Sequence, residues 1–273
     1  MIITQAGVWN NFYDAKYMTD LRAKAVERYK ADGTQPFVLL CEHASAYMPP
    51  ELADLGLDAT ARKSHIAWDP GAFDVAKRLS DLLNAPLVAG GISRLVYDCN
   101  RPFEAPDCIP EKSEIYDIHG NVGLTETARR DRFAQIHEPF HAAVTQAVDI
   151  QLDRVGGPVV LVTIHSFTPI YHGKQRELDI GYLFHSDGIL AQTMLAQDQA
   201  LGRYLTELNA PYAASDGVTY SLAKHAEPRG LQSVMIEIRN DLIGTPEQAD
   251  VMADHLAGIL RHVTQVDQRK AAS

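Results

Sequence analysis

Cysteine is scarce in this chain. Cys41, Cys99 and Cys108 are the only three in 273 residues. Their odd number and lack of paired metal-site spacing argue against a disulfide framework and for reduced thiols. Long apolar runs are missing too, and none approaches the roughly 20 residues that a membrane-spanning helix needs. The first residues carry no basic stretch leading into an apolar one, so the cytoplasm is the expected location and no membrane partner is expected. Positive charge is in deficit. With 25 Lys and Arg against 35 Asp and Glu, the net charge is −10, which argues against nucleic acid as the main partner. A local basic pocket for a small anion is still allowed. Internal repeats, low-complexity stretches and linkers are also absent, so residues 1–273 are read as one domain with one large core.

What is present is an alternation of β-branched runs and amphipathic stretches. Strands are expected at 37–41, 86–89, 95–97, 159–164, 179–184 and 233–238. Helices are expected at 14–31, 71–84, 125–154 and 188–208, with mixed helical sequence near 51–65. A last helix starts on a capping box, with Thr245 at the N-cap, Pro246 in the first turn and Gln248 three residues after the cap. It is expected to run to about residue 263, with 268–273 frayed. The segment 102–123 is long and irregular, as functional loops often are. Such alternation reads as an α/β protein with a mixed, mostly parallel sheet.

Parallel strands place chemistry at their carboxyl ends, where the backbone leaves the core. Four such ends carry reactive groups: Glu42 and His43; Asp98, Asn100 and Arg101; His165; and Glu237 with Arg239. Two imidazoles and a carboxylate can hold Zn²⁺ with one position open, lowering the pKa of a bound water to near ~7. A further carboxylate can then move the water's proton, and arginines can fix a carboxylate or an oxyanion. Each residue also has a plainer reading. Glu237 could pair with Arg239, Asn100 could form an Asx turn, and Asp69 could cap the next helix. One literal motif competes: His137-Glu138-Pro139-Phe140-His141 has the spacing of a zincin helix. Pro139 lies inside that helix, deletes a backbone hydrogen bond and kinks the axis, so capping or supporting roles are expected for His137 and His141.

Five spaced segments are more specific than any one of these residues. Glu42-His43-Ala44-Ser45, Trp68-Asp69-Pro70-Gly71-Ala72, Ser93 to Arg101, Ile164-His165-Ser166 and Ile236 to Leu242 together resemble the N-formylglutamate amidohydrolase family, in a divergent branch. The likeness runs from about residue 37 to 260. It implies a three-layer α/β/α domain of the phosphorylase/hydrolase-like, zinc-exopeptidase-like type, related to zinc carboxypeptidases and aspartoacylase-type deacylases. It also implies zinc-dependent hydrolysis of a linear amide, with one divalent ion and a small-molecule N-acyl amino acid as partner.

Residue by residue, the resemblance implies His43 and His165 as metal ligands and Glu237 as general base. Arg94 would polarise the scissile carbonyl, and Asn100 and Arg101 would grip the substrate. The related enzymes carry a Glu ligand three residues after the first His, a position held here by Ala46. The remaining metal ligand is therefore read as Asp69, with Glu42 as the fallback. Arg239 joins the substrate-binding set, and His225, in a lid-like 212–230 segment, is expected to meet a side-chain carboxylate. A carboxypeptidase-like peptidase and a non-catalytic binding protein for an acidic metabolite are the rival readings.

Overall fold

The apolar runs of the sequence form the middle of a seven-stranded sheet. The structure, a computed structural model, describes residues 20–271. The strands of this sheet are β1 (Val26–Tyr29), β2 (Phe37–Cys41), β3 (Leu87–Gly90), β4 (Val160–Phe167), β5 (Ile180–Leu183), β6 (Thr206–Leu208) and β7 (Ser233–Arg239). They lie side by side in the order β1-β3-β2-β4-β7-β5-β6. β3, β2, β4 and β7 are mutually parallel. β1 runs against β3 at one edge, and β5 runs against β7 and parallel to β6 at the other. This is the mixed, mostly parallel α/β sheet that the alternation of runs predicts.

Central parallel strands are covered on both faces, which is why β2 and β4 are buried throughout. One face is mostly apolar, its buried Asp198 paired with the Tyr182 hydroxyl and His255. Leu39, Val162, Ile164, Ile236 and Ile238 pack there against helices α1 (Ala72–Leu83), α3 (Ile189–Leu201) and α5 (Pro246–Ala271). The other face carries Leu40, Leu161 and Met235 under helices α2 (Glu138–Val155) and α4 (Tyr220–His225). Residues alternate across a strand, so Thr163 and His165 share the face of Leu161, and Glu237 shares that of Met235. The polar groups therefore sit beneath the α2–α4 layer, at the carboxyl ends of the parallel strands.

Several sequence expectations are corrected. Of the helix expected at 14–31, residues 14–19 lie outside the described residues, Arg22–Ala25 is one helical turn, and 26–29 is strand β1. Edge pairing with Leu87–Gly90 overrides the helical spacing there. Residues 95–97 form a buried turn, not a strand, because the Leu95 and Val96 carbonyls accept from the side chains of Asn121 and Arg132. The helix expected over 188–208 stops at Leu201, and Thr206–Leu208 adds strand β6 beside β5. The long helix over 125–154 is broken into Glu126–Arg132, a π-turn at Phe133–His137 and α2. The capping box of α5 is present, with Thr245 and Gln248 exchanging hydrogen bonds at 3.1 and 3.3 Å. That helix runs on to Ala271, past the expected end at about 263.

Candidate active site

Three donors from separate segments converge. His43 follows β2, Asp69 precedes α1, and His165 lies near the end of β4. One ligand atom from each lies within 4.8 Å of the others, and all three residues are buried. Asp69 Oδ2 is 3.3 Å from His43 Nδ1 and 2.9 Å from His165 Nδ1. The second nitrogen of each ring faces another carboxylate. His43 Nε2 lies 2.7 Å from Asp98 Oδ1. His165 Nε2 lies 3.0 Å from Glu42 Oε2, which also accepts from Thr163 Oγ1 at 2.7 Å. Outer carboxylates that fix ring orientation and raise ligand basicity are a hallmark of metal-binding histidines. This donor set fits a divalent ion bound by His43, Asp69 and His165. Glu42, the fallback ligand of the sequence reading, sits behind His165 on its far nitrogen.

The charges support one another. Burial would raise the Asp69 carboxyl, but His43 and His165 outweigh it and hold Asp69 well below the usual carboxylate range. Burial likewise opposes protonation of His165, yet Glu42 and Asp69 prevail and raise it well above the ordinary imidazole value. Arg94 donates to Asp69 Oδ1 at 3.3 Å and to Asp98 Oδ2 at 2.9 Å, tying both acids together. Asp98→Asn removes an acceptor shared by His43 and Arg94. We expect that variant to bind Zn²⁺ about 10–100-fold more weakly, as measured by competition with a chromophoric chelator; unchanged affinity would contradict this role.

Glu237 stands opposite His165 in the parallel register of β7 and β4. Its Oε2 is buried without a hydrogen-bond partner among the described residues. Burial is the chief cause that pushes its carboxyl up to about 7; Asp69 adds to the effect, while His165 and Arg94 oppose it. A carboxyl poised near neutrality in a cleft is suited to moving protons. Together with His43, Asp69, Arg94, His165 and Arg101 it lines a cavity of about 400 Å³.

The remaining candidates divide. Asn100 and Arg101 both line this cavity, but both ends of the Asn100 amide are engaged, Nδ2 with the Val218 carbonyl and Oδ1 with the Ser221 N–H. Arg101 is held by Asp107 at 2.8 Å and by the Asn100 and Gly217 carbonyls, and its other terminal nitrogen has no hydrogen-bond partner among the described residues. Arg239 is placed elsewhere. It pairs with Asp179 and Asp241 and caps the carbonyls of residues 176–178 outside the cavity. His225 is also away from the lining, buried against His141 at 2.7 Å. His141 in turn donates to the Cys99 carbonyl, and His137 meets the Tyr220 hydroxyl. Glu138, which a zincin would need as base, is exposed.

Sequence reasoning missed the supports of the site. Arg132 is buried and donates to Val96 O and to Asn121 Oδ1, while Asn121 donates to the Leu95 and Pro110 carbonyls. Together they fix the turn that presents Arg94 and Asp98. Gly71 is the other. It adopts φ +79°, and a Cβ there would lie 2.2 Å from the Ile243 carbonyl oxygen, so only glycine lets the chain turn from Asp69 into α1.

The family model for N-formylglutamate amidohydrolase matches residues 35–244. This chain belongs to that family. Among solved structures, a gene product of Agrobacterium tumefaciens is 44% identical, with a TM-score of 0.87, over 92% of this chain and all of that one. An N-formylglutamate amidohydrolase from Ralstonia eutropha JMP134 shares the fold at a TM-score of 0.60, with 19% identity over 87% of this chain and 98% of that one. No curated protein matches. The chain is thus an amidohydrolase-type hydrolase of this family. Among its described residues no helix is long and apolar enough to cross a membrane.

Proposed function

We propose that this protein hydrolyses the N-formyl or short N-acyl amide of an amino acid, N-formyl-L-glutamate among them, using zinc held by His43, Asp69 and His165. The observation that carries this reading is the pairing of Glu237 with His165 across adjacent strands, inside the cavity that holds the donor triad. Zinc, when bound, supplies Lewis acidity that brings the pKa of water to near ~7.

The chain's own groups do the rest. Glu237 takes the proton of the attacking water and passes it to the departing amine. Arg94, anchored to Asp69 and Asp98, presents positive charge where the carbonyl oxygen becomes an oxyanion. The unpartnered arm of Arg101 receives the α-carboxylate, and Asn100 pins the 218–221 segment that closes this wall. Walls that include Ile66, Leu95, Phe167 and Met235 limit water around the reacting amide.

The test is a panel of N-formyl and N-acetyl amino acids alongside short peptides, incubated with the zinc-loaded protein and followed by released amine. Release from the formyl or acetyl compounds, with dipeptides untouched, is the expected result. The opposite preference, or inertness of a protein carrying stoichiometric zinc, would overturn the proposal.

A further inference from the structure

Three consecutive residues, Cys99 to Arg101, are tied to one segment, 217–225. The Arg101 guanidinium donates to the Gly217 carbonyl at 3.1 Å. The Asn100 amide donates to the Val218 carbonyl and accepts from the Ser221 N–H. Cys99 completes the series through its backbone. Its carbonyl accepts from His141 Nε2 at 2.8 Å, and His141 Nδ1 lies 2.7 Å from Nε2 of His225, the last residue of α4. Asn100, Arg101 and Val218 line the cavity, whereas both imidazoles lie behind that wall, at most 4% exposed.

The partners of this pair fix where its protons lie. A carbonyl only accepts, so His141 Nε2 carries hydrogen. Burial, with His137 and His225 adding to it, holds His141 well below the ordinary imidazole range and so neutral. Its Nδ1 is therefore bare and takes a hydrogen from His225 Nε2. Burial, followed by Lys224, likewise lowers His225 to about 4. Donation thus runs one way, from His225 to His141 to the Cys99 carbonyl.

We infer that His141 and His225 are positioning residues: by holding the Cys99 carbonyl they aim Asn100 and the open arm of Arg101 at the substrate's α-carboxylate. This rests on the hydrolase reading above, in which Arg101 grips that carboxylate. A peptide group is planar, so turning the Cys99 carbonyl turns the Asn100 N–H with it. That N–H donates to Asp98 Oδ1 at 2.8 Å, and the 99–100 peptide is pinned at both its oxygen and its nitrogen. Arg101 follows directly, and its Nη1 bonds back to the Asn100 carbonyl at 3.0 Å. Asp98 has anchors of its own. Its N–H donates to the Cys108 carbonyl at 2.8 Å, and its carboxylate is held by His43 and Arg94. Release of the Cys99 carbonyl therefore reaches the substrate-gripping residues and leaves the metal donors in place. His141 spends both ring nitrogens on this strut, so neither is left for a metal.

The test uses the zinc-loaded protein and isolates the α-carboxylate. Calorimetry compares L-glutamate with L-isoglutamine, its α-carboxamide, and steady-state kinetics give kcat and KM for N-formyl-L-glutamate. Wild type is expected to prefer glutamate. His141→Leu leaves the Cys99 carbonyl unpaired. It should weaken glutamate roughly 10-fold and isoglutamine little, raising KM while kcat and zinc content stay near wild type. His141→Gln offers an N–H at the place of Nε2 and should recover most of the loss. His225→Leu removes the donor that sets the His141 proton. Its loss should fall between the two, and it carries the test if His141→Leu does not fold. Equal losses on both ligands, a fall in kcat alone, or an unchanged preference would make the pair a packing element of the core and overturn the proposal. Absence of glutamate binding to wild type would overturn it too. Should the formyl compounds resist hydrolysis while the preference for glutamate still follows His141, the positioning role stands and the reaction assigned above falls.

Discussion

Glu237→Gln is expected to lower turnover by ~10²–10⁴-fold while the protein still takes up zinc. Gln fills the same space and keeps one acceptor, so the metal donors and the cavity wall stay in place. What disappears is a group that can carry a proton. Stopped assays for the released amine, together with metal analysis of the same preparation, separate the two effects. Near-full activity in this variant would remove Glu237 from the mechanism. The variant has a second signature in the metal-free protein. The folded carboxyl is raised to about 7 from an ordinary value near 4.5. The folded state therefore holds this proton more tightly than the unfolded chain. That contribution to stability is complete below about pH 4.5 and is lost as pH rises through about 7. Gln has nothing to ionise. Metal-free Glu237→Gln should thus be more stable than metal-free wild type at pH 8, by a few kcal/mol on the order given by the shift, and should match it near pH 4. Urea unfolding at the two pH values checks the sign. In the zinc-loaded enzyme the added cation pulls the carboxyl down, so kcat/KM should fall away on the acid side at or below pH 7.

Removing the metal should have a comparably large effect. Chelation is expected to abolish hydrolysis and added Zn²⁺ to restore it. His165→Ala should weaken zinc by more than the ~10–100-fold that loss of an outer hydrogen-bond partner costs. Such a change removes a donor and also strands Glu42 and Asp69, both held as anions in the core by that imidazole. His141→Ala is the matching control, because a zincin-type site would lose its ion there while the triad would not. Metal content by mass spectrometry decides between them. Zinc retained in His165→Ala but lost in His141→Ala would reverse the assignment.

How far the sequence revealed this arrangement depends on the kind of contact involved. The strands that carry His165 and Glu237 were legible because a buried strand has an apolar, β-branched composition, and a polar residue near its carboxyl end stands out. His43 was legible for the same reason. The turn at 95–97 was not, since a short apolar run reads alike as buried strand or buried turn. Only Asn121 and Arg132, distant in the chain, decide the matter. Arg132 itself gave no sign, lying in an amphipathic helix where Arg is ordinarily a solvent residue. Arg239 looked like part of the site because it follows Glu237 on the same strand. Its side chain instead meets carbonyls at residues 176–178 that local pattern could not place beside it.

The scarce thiols acquire a use from where the fold puts them. Cys41 and Cys99 are fully or nearly enclosed, next in sequence to Glu42 and Asp98, and burial pushes both thiols well above their ordinary range. As neutral, shielded sulfurs they should ignore alkylating reagents in the closed protein. Labelling at either position then becomes a clock for how often the floor of the catalytic centre opens, and saturating zinc should slow that clock in proportion to the affinity it gains from closure.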